Sequence, residues 1–130
     1  MQYIVLLGRI LYSFIFIFSS FRHFSKTVID YAASQGVMMP SILVPFSGIM
    51  AFLGGLSILL GYKARWGALL LVLFLVPVTY MMHNFWAVSD PMAQQMQMAM
   101  FMKNVSMLGA ALLIVYFGTG PLSLDKDKST

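Results

Sequence analysis

The chain of 130 residues is sixty per cent hydrophobic and nine per cent charged, a balance that excludes an ordinary soluble domain and places it in a lipid bilayer. It has no cysteine, which excludes disulfides, thiolate nucleophiles, Cys-ligated zinc and iron–sulfur clusters, so any redox centre must come from elsewhere. The net charge of +4 is small and its Lys and Arg residues are scattered through loops and ends, which leaves no basic stripe for nucleic acid.

A spanning helix needs about 20 residues, so four spans with their connections use nearly the whole sequence as a single domain, 1–130. The expected fold class is all-α, an integral membrane four-helix bundle. The first span covers residues 3–21. It carries Arg9 and lacks both a basic leader and an A-x-A cleavage site, so it reads as a retained helix rather than a signal peptide. A polar connection, SKTVIDYAASQGVMMPS, punctuated by Gly36 and Pro40, leads to the second span, 42–60. The short turn GYKAR can only reverse the chain, so the second and third spans form an antiparallel hairpin. The third span, 66–82, contains Pro77, which removes a backbone donor and kinks a helix. The fourth, 98–117, stops at GTGPLSLDKDKST. A soluble bundle would need polar faces at helical spacing, and GALLLVLFLVPV offers none.

Lys63 and Arg65 mark the GYKAR loop as cytoplasmic. Both termini, with Lys126 and Lys128 in the tail, then also lie inside, and Arg22 and Lys26 fall outside. The first and third spans end on the side where the fourth begins, so His23, His83, Trp86, Lys103 and Asn104 gather near the outer interface. A charge at the membrane centre costs about 2.5–3.5 kcal/mol on insertion scales, which makes Lys103 a functional candidate. In the plainer reading Lys103 snorkels to the headgroups, Trp86 belongs to an aromatic belt and the histidines are interfacial. In the functional reading the five residues form a small polar chamber that binds a quinone headgroup or another polar ligand.

Arg9 cannot lose its proton and must find acceptors. All four acids, Asp30, Asp90, Asp125 and Asp127, fall in loops or tail, and there is no glutamate. Asp125 folding back, the Tyr62 or Tyr116 hydroxyl, or carbonyls near the end of the fourth helix are the available partners. A structural bracket to the C-terminal tail is favoured over a substrate contact.

Two histidines on one side allow bis-imidazole haem ligation between bundle helices, but both sit at helix ends. PMAQQMQMAMFM offers thioether sulfurs suited to Cu(I), yet residues two apart on a helix point to different sides, and flexible packing is the commoner use of methionine. No protein-held metal is expected. Gly54 and Gly55, and Gly109 with Ala110 and Ala111, supply small surfaces for close helix approach.

LLGRILYSFIFIFSSFRHF, ASQGVMMP, GGLSILLGYKAR, MMHNFW and FMKNVSMLGAALLIVYFGTGPLSLD, in chain order and covering nearly its whole length, resemble the bacterial DoxX family. The resemblance implies four-helix proteins of the bacterial inner membrane. It also implies links to a thiosulfate:quinone oxidoreductase and to an oxidative-stress complex that includes superoxide dismutase and a sulfurtransferase. The family's helix-one arginine matches Arg9, its helix-three histidine matches His83, and its Lys-Asn pair matches Lys103 and Asn104. The sequence departs from the family pattern at Ala51, where many relatives carry a glutamate, and this weakens any proton-coupled reading.

The expectation is therefore an inner-membrane subunit of a quinone-linked oxidoreductase system. His83 is its proton carrier, and Lys103, Asn104, Trp86 and His23 are its ligand contacts. Electrons come from a partner oxidoreductase, and a second copy of the chain is a further candidate partner. The competing expectation is a non-enzymatic membrane scaffold whose polar residues lock helix packing.

Overall fold

The computed structural model describes residues 2–118 and 120–124. Its helices are α1 (Gln2–Arg22), α2 (Lys26–Ser34), α3 (Pro40–Leu60), α4 (Ala64–Met82) and α5 (Pro91–Phe117), with one 3₁₀ turn at Phe85–Ala87. The described residues contain no strand, and α1, α3, α4 and α5 are each long and apolar enough to cross a membrane.

The helices bury stripes at helical spacing. On α3 the stripe is Val44, Gly48, Ala51, Gly54, Gly55 and Ile58, and on α4 it includes Ala64, Gly67, Ala68 and Leu71. Small residues dominate because lipid gives no hydrophobic drive between helices, so association depends on close backbone approach. A Cβ on Gly54 would stand 2.7 Å from Leu71 Cδ2 and 2.9 Å from the Gly67 carbonyl oxygen. On α1 the pattern is inverted. Its buried stripe is Arg9, Ser13, Phe16 and Ser20, while Leu7, Leu11, Phe14 and Phe18 face outward.

The GYKAR turn closes through Gly61, whose left-handed conformation (φ 70°) lets the Tyr62 N–H return to the Ser57 carbonyl at 3.0 Å. The Ser57 hydroxyl donates to the Tyr62 carbonyl at 2.6 Å. α1 packs on α3, α3 on α4 and α4 on α5, while α1 and α5 approach only lightly. The Tyr12 hydroxyl bridges that last seam, donating to the Met107 carbonyl at 2.7 Å.

Three sequence expectations need correction. The connection 25–41 is not a plain loop, because it holds α2, which Ser25 caps by accepting from the Val28 N–H at 3.3 Å. Asp30 therefore sits on a helix. α5 begins at Pro91 rather than 98, because Asp90 accepts from the Ala93 N–H at 3.0 Å and Pro91 fits the first helical turn. Gly109 is not a packing surface: a Cβ there meets nothing within 4 Å, and Ala111 supplies the contact instead.

Candidate functional site

A cavity of about 400 Å³ lies at the end of the bundle where α1 and α4 finish. α2 lies across it, turning Val28 and the fully buried Ala32 inward. The Tyr31 hydroxyl ties α2 to the end of α4 by donating to the Met82 carbonyl at 3.1 Å. The walls are mostly apolar, from residues such as Phe16, Val44, Phe74 and Met81. Four of the sequence-predicted residues, His23, His83, Lys103 and Asn104, line this one space.

His23 follows the last turn of α1, where Gly48 of α3 leaves room for it: a Cβ on Gly48 would stand 2.7 Å from the His23 Cβ. Its Nδ1 lies 2.9 Å from the Ser19 carbonyl oxygen, which can only accept, so Nδ1 carries the proton and Nε2 is the acceptor. The ring stands edge-on to Phe74 at 5.6 Å between centroids. Burial pushes its pKa below the ordinary histidine value; the Ser19 hydrogen bond opposes this and the nearby Arg22 charge adds to it.

His83 is the residue on which α4 ends. Its Nδ1 lies 2.9 Å from Gln97 Oε1, again leaving Nε2 as the acceptor. Gln94 steadies the same junction by donating to the Phe85 carbonyl at 3.3 Å. Gln97 is a positioning residue that sequence reading missed, because it sits in the stretch assigned to a loop before the fourth span. The signal available was the Asp90-Pro91 helix start, which puts Gln94 and Gln97 one turn apart on a single face.

Asn104 is buried at 5% exposure, and its carboxamide has no hydrogen-bond partner among the described residues. The neighbouring Lys103 is exposed, with its Nζ 3.4 Å from Met100 Sδ. Trp86 is not part of the cavity lining. Its ring packs on Tyr80, Phe85 and Phe101 with centroids 5.6, 5.3 and 5.9 Å away. Ala51, where the family's glutamate is expected, is wholly buried in the helix core and does not line the cavity.

No carboxylate of the described residues reaches the cavity, since Asp30 is exposed on α2 and Asp90 caps α5. The described residues hold no group of three or more His, Cys, Asp or Glu that could ligate a metal. The methionine-rich stretch is helical, with Met92, Met96, Met98 and Met102 all exposed. The cavity can therefore offer a ligand two imidazole acceptors, an ammonium and an uncommitted carboxamide, all within apolar walls.

Arg9 lies toward the opposite end. Its Nη2 donates to the Leu122 carbonyl, tying α1 to the segment after α5, while Leu124 N–H donates to the Leu60 carbonyl at 3.0 Å. Asp125, the acid expected to pair with it, lies outside the described residues. A second cavity of about 350 Å³ adjoins Arg9 between α1 and α5. The Tyr12 to Met107 hydrogen bond stands between the two cavities, since Tyr12 lines one and Met107 the other.

The chain is 32% identical to inner membrane protein YphA of Escherichia coli (strain K12) over 126 residues, covering 95% of this chain and 89% of that protein. It is 32% identical to inner membrane protein YqjF of the same organism over 127 residues, covering 94% and 89%. ER-derived vesicles protein ERV29 of Saccharomyces cerevisiae is 26% identical over 83 residues, which are 64% of this chain and 26% of that protein. No solved structure matches the chain. The DoxX family model matches residues 4–84, which include Arg9, His23 and His83. With four spanning helices and full-length relatives of this kind, the chain belongs to the DoxX family as a multi-pass inner-membrane protein.

Proposed function

We propose that the histidine-end cavity binds a quinone headgroup and that the protein serves as the membrane subunit of a quinone-linked oxidoreductase system. The observation that carries this reading is Asn104, a buried carboxamide with no protein partner facing a mostly apolar space. The Asn104 amide atoms are not among the sealed, unpartnered polar atoms of the described residues, so they open into the cavity, where a ligand carbonyl can accept from them in a mostly apolar setting. The cavity falls within the range of about 300–1,000 Å³ typical of small-molecule sites. A quinone would supply the two-electron chemistry, with electrons delivered by a partner oxidoreductase. The chain's own part is to bind and to move protons. Asn104 donates to a carbonyl, Lys103 at the rim adds charge to the same oxygen, and His83, its ring fixed by Gln97, uses the free Nε2 to take up and pass on a proton. Trp86, outside the lining, supports the 3₁₀ turn rather than stacking on the ring. In this reading the cavity faces the outer leaflet and both termini lie in the cytoplasm, as Lys63 and Arg65 in the α3–α4 turn favour.

The test is a titration with a short-chain ubiquinone and with menadione, read by the shift in melting temperature. Asn104→Leu keeps the side-chain size and removes the donor, so it should weaken binding by about tenfold while the ligand-free protein melts no lower than the parent. Equal quinone stabilisation of parent and variant would refute the site. A drop in ligand-free melting temperature with no quinone response in either protein is the signature of the scaffold reading.

A further inference from the structure

We infer that the histidine-end cavity is built for the reduced form of its ligand, so that a quinol, with its two hydroxyls, binds more tightly than the quinone it comes from. The inference rests on the quinone reading of that cavity and adds the redox state the site prefers. Its basis is the direction of the hydrogen bonds that the cavity has left to offer.

Each histidine of the lining has already spent its donor. The Ser19 carbonyl, 2.9 Å from His23 Nδ1, can only accept, so the proton stays on Nδ1 and Nε2 keeps a lone pair. Gln97 Oε1, 2.9 Å from His83 Nδ1, sets the same tautomer in the other ring. Burial pushes the His23 pKa down, which keeps that ring neutral and its Nε2 an acceptor at neutral pH. Neither Nε2 has a hydrogen-bond partner among the described residues, and neither is sealed off. His23 packs against Phe74, whereas His83 ends the same helix about two and a half turns further on. The two acceptors therefore meet different atoms of a ligand.

A quinone carbonyl has only lone pairs. It can accept from Asn104 and Lys103, but it brings nothing to donate to either Nε2, and an acceptor covered without a donor is unfavourable. Reduction adds two electrons and two protons, and each carbonyl becomes a hydroxyl. A hydroxyl donates to an Nε2 while its oxygen still accepts from Asn104, so one group satisfies both kinds of partner. The apolar walls, Phe16, Val44 and Phe74 among them, strengthen these bonds by lowering the local dielectric. A tenfold preference for the quinol raises the midpoint potential of the bound couple by about 30 mV. The bound quinone is then a better acceptor for electrons from the partner oxidoreductase.

The experiment titrates the full chain, in detergent and under argon, with menadione, with menadiol and with the dimethyl ether of menadiol, and reads binding by isothermal titration. The chain has no cysteine, so neither thiol addition by menadione nor reduction of disulfides enters the comparison. Menadiol should bind about tenfold more tightly than menadione. The ether keeps the rings and oxygens but has no donor, and it should bind no more tightly than menadione. His23→Phe keeps a ring against Phe74 and removes one acceptor, and His83→Phe removes the other; each should narrow the gap between menadiol and menadione. Equal binding of menadiol and menadione by the parent overturns the preference and leaves the quinone reading standing, whereas binding of neither overturns that reading and the preference with it. An ether that binds as tightly as menadiol overturns the hydroxyl argument without recourse to any variant. A gap undiminished in both His23→Phe and His83→Phe overturns the assignment to the two imidazoles.

Discussion

Gly48→Ala tests the link between helix packing and the histidine-end cavity. A methyl at this position would lie 2.9 Å from the Ser20 carbonyl oxygen and 2.7 Å from the His23 Cβ, and the first of these is backbone that cannot rotate away. Overpacking of this kind costs about 1–3 kcal/mol, while replacing a helical glycine with alanine returns up to about 1 kcal/mol of propensity. The net expectation is a loss of about 1–2 kcal/mol. Gly109→Ala is the matched control. It makes the same chemical change in a helix where the new methyl meets nothing within 4 Å, so only the propensity gain applies. Reversible unfolding by sodium dodecyl sulfate in mixed micelles, followed by circular dichroism, should move the two midpoints in opposite directions. Because the end of α1 must shift to admit the methyl, Gly48→Ala should also disturb His23 and weaken binding in the cavity. A Gly48→Ala protein as stable as Gly109→Ala would refute the packing of α1 on α3 described here.

Three further outcomes follow from the same geometry. Tyr12→Phe deletes the hydroxyl that reaches the Met107 carbonyl; interhelical hydrogen bonds in membranes are worth about 0.6 kcal/mol on average and at most about 1.7, so the unfolding midpoint should fall by that order. Gln97→Leu releases Nδ1 of His83, and isothermal titration should show weaker quinone binding while the melting temperature of the ligand-free protein changes little. Burial holds the His23 pKa low, so below about pH 6.5 the unfolded chain binds the proton more readily than the folded one. Stability should be intact above that pH and decline as the pH falls from there toward the folded value. His23→Phe should flatten the decline in a melting-temperature profile.

The four spans are legible because each is an apolar run of membrane length, and GYKAR leaves the chain no course but reversal. Their edges are harder to read where capping outweighs hydropathy. The Asp90-Pro91 start draws PMAQQMQ into α5, although polar glutamines make it look like a loop. α2 escapes detection because its nine residues lie in a polar connection too short and too polar to read as a span, with only Val28 and Ala32 turned to the cavity. Side alternation alone brings His23, His83, Lys103 and Asn104 to one end, and packing then places all four on one cavity. Alternation cannot resolve which way a side chain points, which is why Trp86 falls outside the lining; Gln97 is missed because hydropathy alone leaves its stretch as a loop. Which carbonyl takes the Arg9 bond is likewise invisible in sequence, since it depends on the segment around Leu122 folding back across the end of α1.

Both cavities border α1 and α5, whose outer surfaces, Leu7, Leu11, Val105 and Leu112 among them, are exposed and apolar. Anything that reaches them between those helices travels through hydrocarbon and has left water before it meets the protein. The quantity that sets occupancy is then the mole fraction of ligand in the membrane rather than its molarity in buffer. Diluting proteoliposomes at a constant ligand-to-lipid ratio should leave the histidine-end cavity as full as before, whereas adding empty vesicles at constant total ligand should drain it.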